Sequence, residues 1–408
     1  MRICFVSRRY FPAISGMSVY AQNFLRELVA AGHDVTMISQ YRGDPLGTRV
    51  YGGGPPPAVP GVRVIGLEQV GEQEGGDFER DVDTIVDTIA AEHGRAPFDI
   101  LHAQYGYPTG WAVLLASQRL GVPNVVSIQG GDGHWVGSCC ETHRLAMTRV
   151  LDHAGAVLIG GESFVDEVAG RLGTARERFT IVPGAVDTAR FHPADGGAAG
   201  PADGPLRIFY HGRVDRRKGA LDFIDALALL RERGIEVAAT VSGIGPDLDA
   251  SRVRAAEHNL ESVRFSGYAA YDTVPSLYRE ADIFASPTYA EGFSNTVLEA
   301  MASGLAIASC RSVGIVDCLR DGDNAILTEA GDIAAHADAL ERLVTDPALR
   351  ARLSGAALAE CRATYSWEVV ARQIMAIYGR LAGTAPDLGF PTTLPLTPCR
   401  FRAEPHLL

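Results

Sequence analysis

The sequence predicts an α/β protein made of two doubly wound, Rossmann-like domains. Three observations predict it. Apolar strand-like runs alternate with longer helix-like stretches along almost the whole chain, which argues for parallel sheets with crossover helices. A stretch rich in Gly, Pro and Ala at 193–205 splits the strands into two series and reads as an interdomain linker. The chain has 408 residues, the length of two domains at roughly 100–200 residues each.

Taken in order, the first series of strands falls at 3–7, 35–39, 62–67, 100–103, 124–128, 156–160 and 180–182. A helix pattern at 19–31 comes after the first of them. The second series falls at 206–211, 237–242, 263–266, 282–285, 306–309 and 325–327. Residues 367–381 then place Val370, Ile374, Ile377, Tyr378 and Leu381 at helical spacing, an amphipathic helix. Pro386, Pro391, Pro395 and Pro398 mark the remaining C-terminal tail as irregular. The expected organisation is a first domain at 1–193, a linker at 194–205, a second domain at 206–365, a helix at 366–382 and an irregular tail at 383–408.

Composition narrows the function. The net charge is −12, and general nucleic-acid binding needs a basic face. No apolar run approaches the roughly 20 residues of a membrane span. A strand begins at residue 3, so no signal peptide is expected and a cytoplasmic location is inferred. Seven cysteines without a secretory signal read as reduced thiols. Cys139 and Cys140, with His143, His134 and Asp132 nearby, raise the question of zinc. Adjacent cysteines do not match the usual ligand spacing, so packing or a helix start is the preferred reading.

The stretch 291–304, EGFSNTVLEAMASG, carries the most functional information. It comes after the strand at 282–285, and Val297, Leu298, Met301 and Ala302 mark one side of a helix. Glu291 therefore lies in a loop at a strand's carboxyl end. Glu299, eight residues on, lies inside the helix. Ser294 or Asn295 caps that helix, and Thr296 lies in its first turn. A helix start in this place offers backbone amides and the positive end of a dipole, which suits a phosphate. Carboxylates on either side accept hydrogen bonds from sugar hydroxyls, so the pattern implies a nucleotide sugar.

Other motifs are weaker alone. In the loop 210–219, Gly212 precedes Arg213 and Lys218, two cations spaced to converge on a pyrophosphate; the plain alternative is a solvated basic loop. Gly243-Ile244-Gly245-Pro246 begins like a dinucleotide fingerprint, but Leu248 holds the third glycine position. Gly16 stands before a helix, where backbone approaches a phosphate closely or simply turns. Gln129, Asp132 and His134 lie among glycines after a buried strand, a candidate sugar or acceptor site; a glycine turn with a capping Asp is the alternative. The pairs Asp81/Asp83, Asp247/Asp249 and Asp321/Asp323 have the form of magnesium ligands. Solvated surface is the preferred reading for all three, and no metal is expected.

Together these features resemble the family-4 glycosyltransferases of the GT-B fold. EGFSNTVLEAMASG with its E-x7-E spacing, GRVDRRKG, SGIGP, FPAISG, GHDV and IVPGAVDTARFHP occur in the family's order, and the resemblance spans residues 1–380. It implies two Rossmann-like domains facing a cleft and a retaining, metal-independent transferase whose co-substrate is a nucleotide diphosphate sugar, UDP-linked by expectation. Arg213 and Lys218 would hold the diphosphate, with Gly212, Ser294, Asn295 and Thr296 beside it. Glu291 would hold sugar hydroxyls and Glu299 the ribose. Gly16 would touch the phosphate, and the backbone at Gly267 and Tyr268 would meet the base. The last helix would cross back onto the first domain.

The chain departs from the family pattern in three places. Many members have paired glycines where this chain has Ser15-Gly16, and a histidine where it has Gln129; His134 is the candidate substitute. A usual Gly-Gly segment is replaced by Ser312-Val313-Gly314-Ile315. The acceptor is expected to be a soluble small molecule or glycan, the source a GC-rich bacterium, and self-association as a homodimer stays open. A retaining glycosidase using the two glutamates at about 5–5.5 Å, a nicotinamide dehydrogenase and a non-catalytic nucleotide-sugar-binding subunit are the rival readings.

Overall fold

The computed structural model describes residues 1–43, 53–71, 76–194 and 204–399. The chain divides into two compact units, one comprising Met1–Pro183 with Val370–Leu408 and the other Gly184–Val369.

The first unit holds a seven-stranded sheet of β1 Arg2–Ser7, β2 Asp34–Tyr41, β3 Val62–Glu68, β4 Ile100–Gln104, β5 Asn124–Ile128, β6 Ala156–Ile159 and β7 Phe179–Ile181. The helices are α1 Gly16–Ala30, α2 Phe78–Arg95, α3 Trp111–Leu120, α4 Gly131–His134, α5 Glu141–His153 and α6 Glu162–Leu172. The strand order is β3-β2-β1-β4-β5-β6-β7, and every pairing is parallel. Crossover helices cover both faces of such a sheet, which is why its inner strands are largely apolar and buried, while β3 and β7 at the edges are partly exposed. Ile3, Cys4, Phe5 and Val6 of β1 are all fully buried.

The second unit holds six strands, β8 Leu206–His211, β9 Val237–Ser242, β10 Val263–Gly267, β11 Ile283–Ser286, β12 Ala306–Cys310 and β13 Ile326–Thr328. Its helices are α7 Ala220–Glu232, α8 Leu248–Glu257, α9 Val274–Arg279, α10 Asn295–Ala302, α11 Ile333–Thr345 and α12 Pro347–Thr364, and α13 Trp367–Leu381 comes after them. The order β10-β9-β8-β11-β12-β13 is again all parallel. Alternate residues of the strands feed two cores, one with Ile208, Tyr210 and Ile283, the other with Phe209, Phe284 and Ile307.

The expected end of the first domain at 193 is corrected to Pro183. Residues 184–193 pack with the second unit: Val186 bridges Ser366 and donates to the Tyr365 carbonyl at 2.8 Å, and the Phe191 ring meets Tyr278 at 5.6 Å. Most of the expected linker, 195–203, lies outside the described residues. From Val370 onward α13 belongs to the first unit. Its apolar stripe of Val370, Ile374, Ile377 and Tyr378 is buried, and the Tyr378 hydroxyl bonds His102, whose other ring nitrogen meets Ser127 Oγ at 2.8 Å.

The tail at 384–399 forms no helix or strand, as expected, yet it is laid along the first unit. Gln118 Nε2 donates to the Leu388 carbonyl at 3.0 Å, Arg149 to that of Thr393 at 2.8 Å, and Thr142 Oγ1 to that of Pro395 at 2.6 Å. His153 pairs with Asp387 at 2.7 Å.

The loops at the carboxyl edge of the second sheet interlock backbone to backbone. Gly212 N donates to the Ser242 carbonyl at 3.0 Å, Val214 N to Ile244 at 3.0 Å, Asp247 N to Val214 at 3.1 Å and Gly243 N to Gly267 at 2.8 Å. Gly243 has a φ of +135°, and a Cβ there would lie 1.8 Å from the Gly212 carbonyl oxygen. The Gly-Ile-Gly run is therefore not the opening of a dinucleotide fingerprint: its glycine makes room for the neighbouring loop. Gly243→Ala is expected to lower second-unit stability by about 2–4 kcal/mol in urea unfolding. The control Gly355→Ala, in α12 with nothing within 4 Å of its Cβ, should be neutral or stabilising by up to about 1 kcal/mol.

Candidate active site

In the second sheet the strand order reverses between β8 and β11. The chain leaves β8 toward β9 and leaves β11 toward β12, so a crevice opens between the two loops at the strands' carboxyl ends. This is where open α/β sheets bind ligands. Arg213, Lys218, Glu291 and Glu299 all sit on the two segments that flank this point.

A buried acid sets the shape of the first loop. Asp215, 4% exposed, accepts from Lys218 N at 3.1 Å and so caps the short helical turn Arg216–Lys218. The same carboxylate lies 2.8 Å from Arg213 Nε and 3.1 Å from Arg217. One acid thus aims one expected cation and starts the turn that carries the other. Lys218 Nζ reaches the second loop, 2.7 Å from Glu291 Oε1 and 3.4 Å from the Ala290 carbonyl. Glu291 is held in turn by its backbone, which donates to Val313 at 3.0 Å. Gly314 permits this approach, since a Cβ there would meet the Glu291 carbonyl oxygen at 2.2 Å.

Helix α10 begins beside these groups. Its cap is Ser294, 2% exposed, whose Oγ accepts from Val297 N at 3.4 Å. Asn295 and Thr296 form the first turn, and a Cβ on Gly212 would lie 4.0 Å from Thr296 Cγ2. The first turn of α10, Gly212 and the Lys218–Glu291 pair therefore form one cluster. It joins two fixed cations to a helix N-terminus, a combination suited to a diphosphate.

Glu299 lies one turn deeper and is 7% exposed. The Tyr278 hydroxyl donates to its Oε2 at 2.9 Å and also bonds the Thr296 carbonyl at 3.1 Å. Burial pushes its carboxyl up to about 8, against the lowering effects of the Tyr278 hydrogen bond and the Arg190 charge. Arg190 is anchored to the Tyr271 carbonyl at 3.0 Å and to Asp272 at 3.1 Å. The two glutamates therefore occupy opposite environments, one ion-paired at the crevice, the other buried against a tyrosine.

Gly267 ends β10 and joins this network through Gly243; Tyr268 comes next, 57% exposed. Sequence reasoning passed over Asp215, Tyr278 and Arg190. Asp215 left a signal, an Asp three residues before Lys218 at a capping position. Tyr278 and Arg190 left none, because they come from segments 21 and 109 residues before Glu299.

In the first unit the order reverses between β1 and β4. Gly16 opens α1 behind the Ser15 cap, at the carboxyl end of β1. Gln104, at the end of β4, donates to the Met17 carbonyl at 2.8 Å and to Gln129 Oε1 at 3.0 Å, and accepts from Ser7 Oγ at 2.8 Å. Gln129 is thereby tied to the start of α1. Asp132 is different: it is fully buried and accepts from the amides of Gln129, Gly130 and Gly106 at 3.0, 3.0 and 2.7 Å. It latches two loops together. His134 pairs with Glu167 at 2.8 Å and packs on Phe164 at 4.7 Å, so the structure joins it to α6, while Gln129 is joined to Gln104.

The solvated reading of the Asp-x-Asp pairs needs correction at Asp81, whereas Asp83, Asp249, Asp321 and Asp323 are exposed as expected. Asp81 is 4% exposed and accepts from Val70 N and Gly71 N at 2.8 Å each. Asp247 accepts from Arg216 N at 2.8 Å and Asp321 from Leu327 N at 2.9 Å. In each pair, then, one carboxylate accepts from a backbone amide of a neighbouring segment.

The profile of the glycosyl transferases group 1 matches residues 205–346, and that of the glycosyl transferase 4-like domain matches 15–185. A glycogen synthase of Mycobacterium tuberculosis (strain ATCC 25618 / H37Rv) is 27% identical over 407 residues, covering 93% of this chain and 94% of that protein. A D-inositol 3-phosphate glycosyltransferase of Stackebrandtia nassauensis is 28% identical, covering 89% of this chain and 86% of its own. Sucrose-phosphate synthase from Thermosynechococcus elongatus superposes with a TM-score of 0.77 at 23% identity, covering 93% and 98% of the two chains. Anabaena HepE in complex with UDP gives 0.73 at 16%, covering 93% and 100%. At those identities the structural likeness speaks for the fold. With both profiles matched in order and the two parallel-sheet units in place, the glycosidase and dehydrogenase readings fall away, and the chain belongs to the group 1 glycosyltransferases of the GT-B fold.

Proposed function

We propose that this glycosyltransferase moves a sugar from a nucleoside diphosphate sugar, UDP-linked in the first instance, to a hydroxyl of a soluble small molecule or glycan, with retention and without a metal ion. The observation that carries the reading is the cluster at the β8/β11 switch point, where Lys218 meets Glu291 at 2.7 Å beside Arg213 and the first turn of α10. Negative charge grows on the β-phosphate as the bond to the anomeric carbon breaks. Arg213, Lys218 and the α10 amides are preorganised to stabilise it, an effect worth about 10²–10³ in rate per donor in comparable anion holes. The acceptor attacks from the face that the diphosphate leaves, and the departing phosphate takes the hydroxyl proton, so no enzymic nucleophile is needed. Glu291 would orient sugar hydroxyls at the reacting end, and Glu299 would accept from the ribose. UDP is the first donor to test because the fold relative HepE binds UDP and UDP-glucose. The relatives named for glycogen and D-inositol 3-phosphate support a polyhydroxylated acceptor. We take the reaction to be cytoplasmic; no helix among the described residues is long and apolar enough to cross a membrane.

Lys218→Ala and Arg213→Ala should each cut turnover of the donor by about two orders of magnitude while circular dichroism stays unchanged. Near-normal turnover in both would remove the diphosphate assignment.

The glutamates should separate kinetically. Glu291→Gln should lower turnover more than donor affinity, and Glu299→Gln should chiefly weaken binding of UDP itself. Glu299 also carries a pH signature. Its folded-state carboxyl is raised to about 8, so the native state binds the extra proton. Stability is full below the ordinary glutamate range and falls as pH rises toward about 8, by at most about 1.4 kcal/mol per pH unit. Urea midpoints measured across that window should decline in the wild type and flatten in Glu299→Gln. Equal slopes in the two proteins would contradict the burial argument.

Turnover in buffer free of magnesium and manganese should match turnover with either ion added, because two cations already face the diphosphate. A requirement for either ion would reverse the metal-independent reading.

A further inference from the structure

A second cluster of reactive side chains lies away from the candidate active site, in the first unit. Cys139 and Cys140 precede α5, His143 lies in its first turn, and Cys399 arrives on the tail. Their four ligand atoms all lie within 4.8 Å of one another. Cys139 Sγ is 3.0 Å from His143 Nδ1, and Cys399 Sγ is 3.6 Å from the same nitrogen. Cys399 and His143 are 8% and 2% exposed, and all seven cysteines of the chain are free thiols in the structure.

We propose that Cys139, Cys140, His143 and Cys399 form a closed, tetrahedral zinc site that clasps the C-terminal tail to the first unit. Three thiolates and one imidazole are a common structural-zinc donor set, soft enough to select zinc over magnesium or calcium. With zinc bonds of about 2.3 Å to sulfur and 2.0–2.1 Å to nitrogen, tetrahedral donors sit roughly 3.6–3.8 Å apart. The observed donors close around such an ion with shifts of about 1 Å or less.

Local structure explains how adjacent cysteines contribute. Cys140 is the N-cap of α5, its Sγ accepting from His143 N at 3.4 Å. Cap and third helical residue share one side of the first turn, so Cys140 and His143 face a common point. Cys139 leaves the extended segment just before it. The His143 ring is wedged against Tyr107 at 4.5 Å and Phe78 at 5.8 Å, which fixes its orientation. The fourth donor comes from 256 residues away, too far for sequence spacing to reveal.

The tail has reason to need a clasp. Its described residues, up to Cys399, form no helix or strand, and their apolar anchors are few: Phe390 is buried against Trp111, while Leu388 and Leu396 are 56% and 68% exposed. Thr142, between the local ligands, exchanges hydrogen bonds with Pro395 and Thr397, at 2.6 and 3.0 Å, and so delivers Cys399 to the cluster. A disulfide would use two of the three sulfurs and leave the third thiol and the imidazole nitrogen crowded together; one metal ion satisfies all four.

The test uses the full chain purified under reducing conditions without a metal-affinity step. Elemental analysis should find about one zinc per chain. Cobalt titrated into the zinc-stripped protein should give the thiolate charge-transfer band and intense visible bands of a tetrahedral site. Cys399→Ser should weaken cobalt binding at least about tenfold and make the tail after residue 383 more sensitive to limited proteolysis. Should that variant fail to fold, the wild-type cobalt spectrum decides alone. Less than stoichiometric zinc that does not rise on zinc addition, a cobalt spectrum without thiolate bands, or a disulfide joining Cys399 to Cys139 or Cys140 in the reduced preparation would each overturn the proposal.

Discussion

The ion pair between Lys218 and Glu291 depends on everything that holds its two loops in place, and the proposed chemistry depends on it. An exposed pair on flexible loops contributes little to stability. This one is fixed at both ends. Asp215 starts the turn that carries Lys218, and Val313 with Gly314 holds the backbone of Glu291. The loop after β8 is pinned to the loop after β9 by backbone bonds made possible by the glycine at 243. Preorganisation of this kind matters because a loose cation would have to be ordered at each turnover, at a cost in rate.

The two glutamates illustrate how environment divides labour between identical side chains. Glu291 has a cation beside it and stands at the crevice. Glu299 is buried against Tyr278 and holds its proton into the neutral range. Burying a carboxyl so far from water costs stability, and Tyr278 offsets only part of it. A ligand hydroxyl donating to the other lone pairs would recover more. Glu291, by contrast, keeps Lys218 as its partner.

Much of the fold was legible because parallel strands covered on both faces must be apolar throughout. Among the described residues the strands fall close to the expected runs, from Arg2–Ser7 against 3–7 in β1 to Ile326–Thr328 against 325–327 in β13. The start of α10 was legible too, since Ser294 caps it where its sequence context predicts, whereas α1 begins at Gly16 behind a Ser15 cap, three residues ahead of the expected 19–31 pattern. Partnership across long separations was beyond the reach of sequence spacing. Lys218 and Glu291 are 73 residues apart, and Glu299 meets Tyr278 from another helix. Asp132 and Asp81 looked like ligand or surface groups, yet each is consumed by loop amides, because an amide turned inward needs an acceptor wherever one is near. The domain boundary moved from 193 to 183 because Val186 and Phe191 are captured by the second unit's core.

The proposed chemistry requires the switch point of the second sheet to be the donor site. A crystal structure of the chain with UDP tests this most directly. Diphosphate oxygens should lie against Lys218, Arg213 and the first amides of α10, with the ribose hydroxyls on Glu299. A diphosphate seated away from the carboxyl ends of β8 and β11, with the Lys218–Glu291 pair undisturbed, would contradict it.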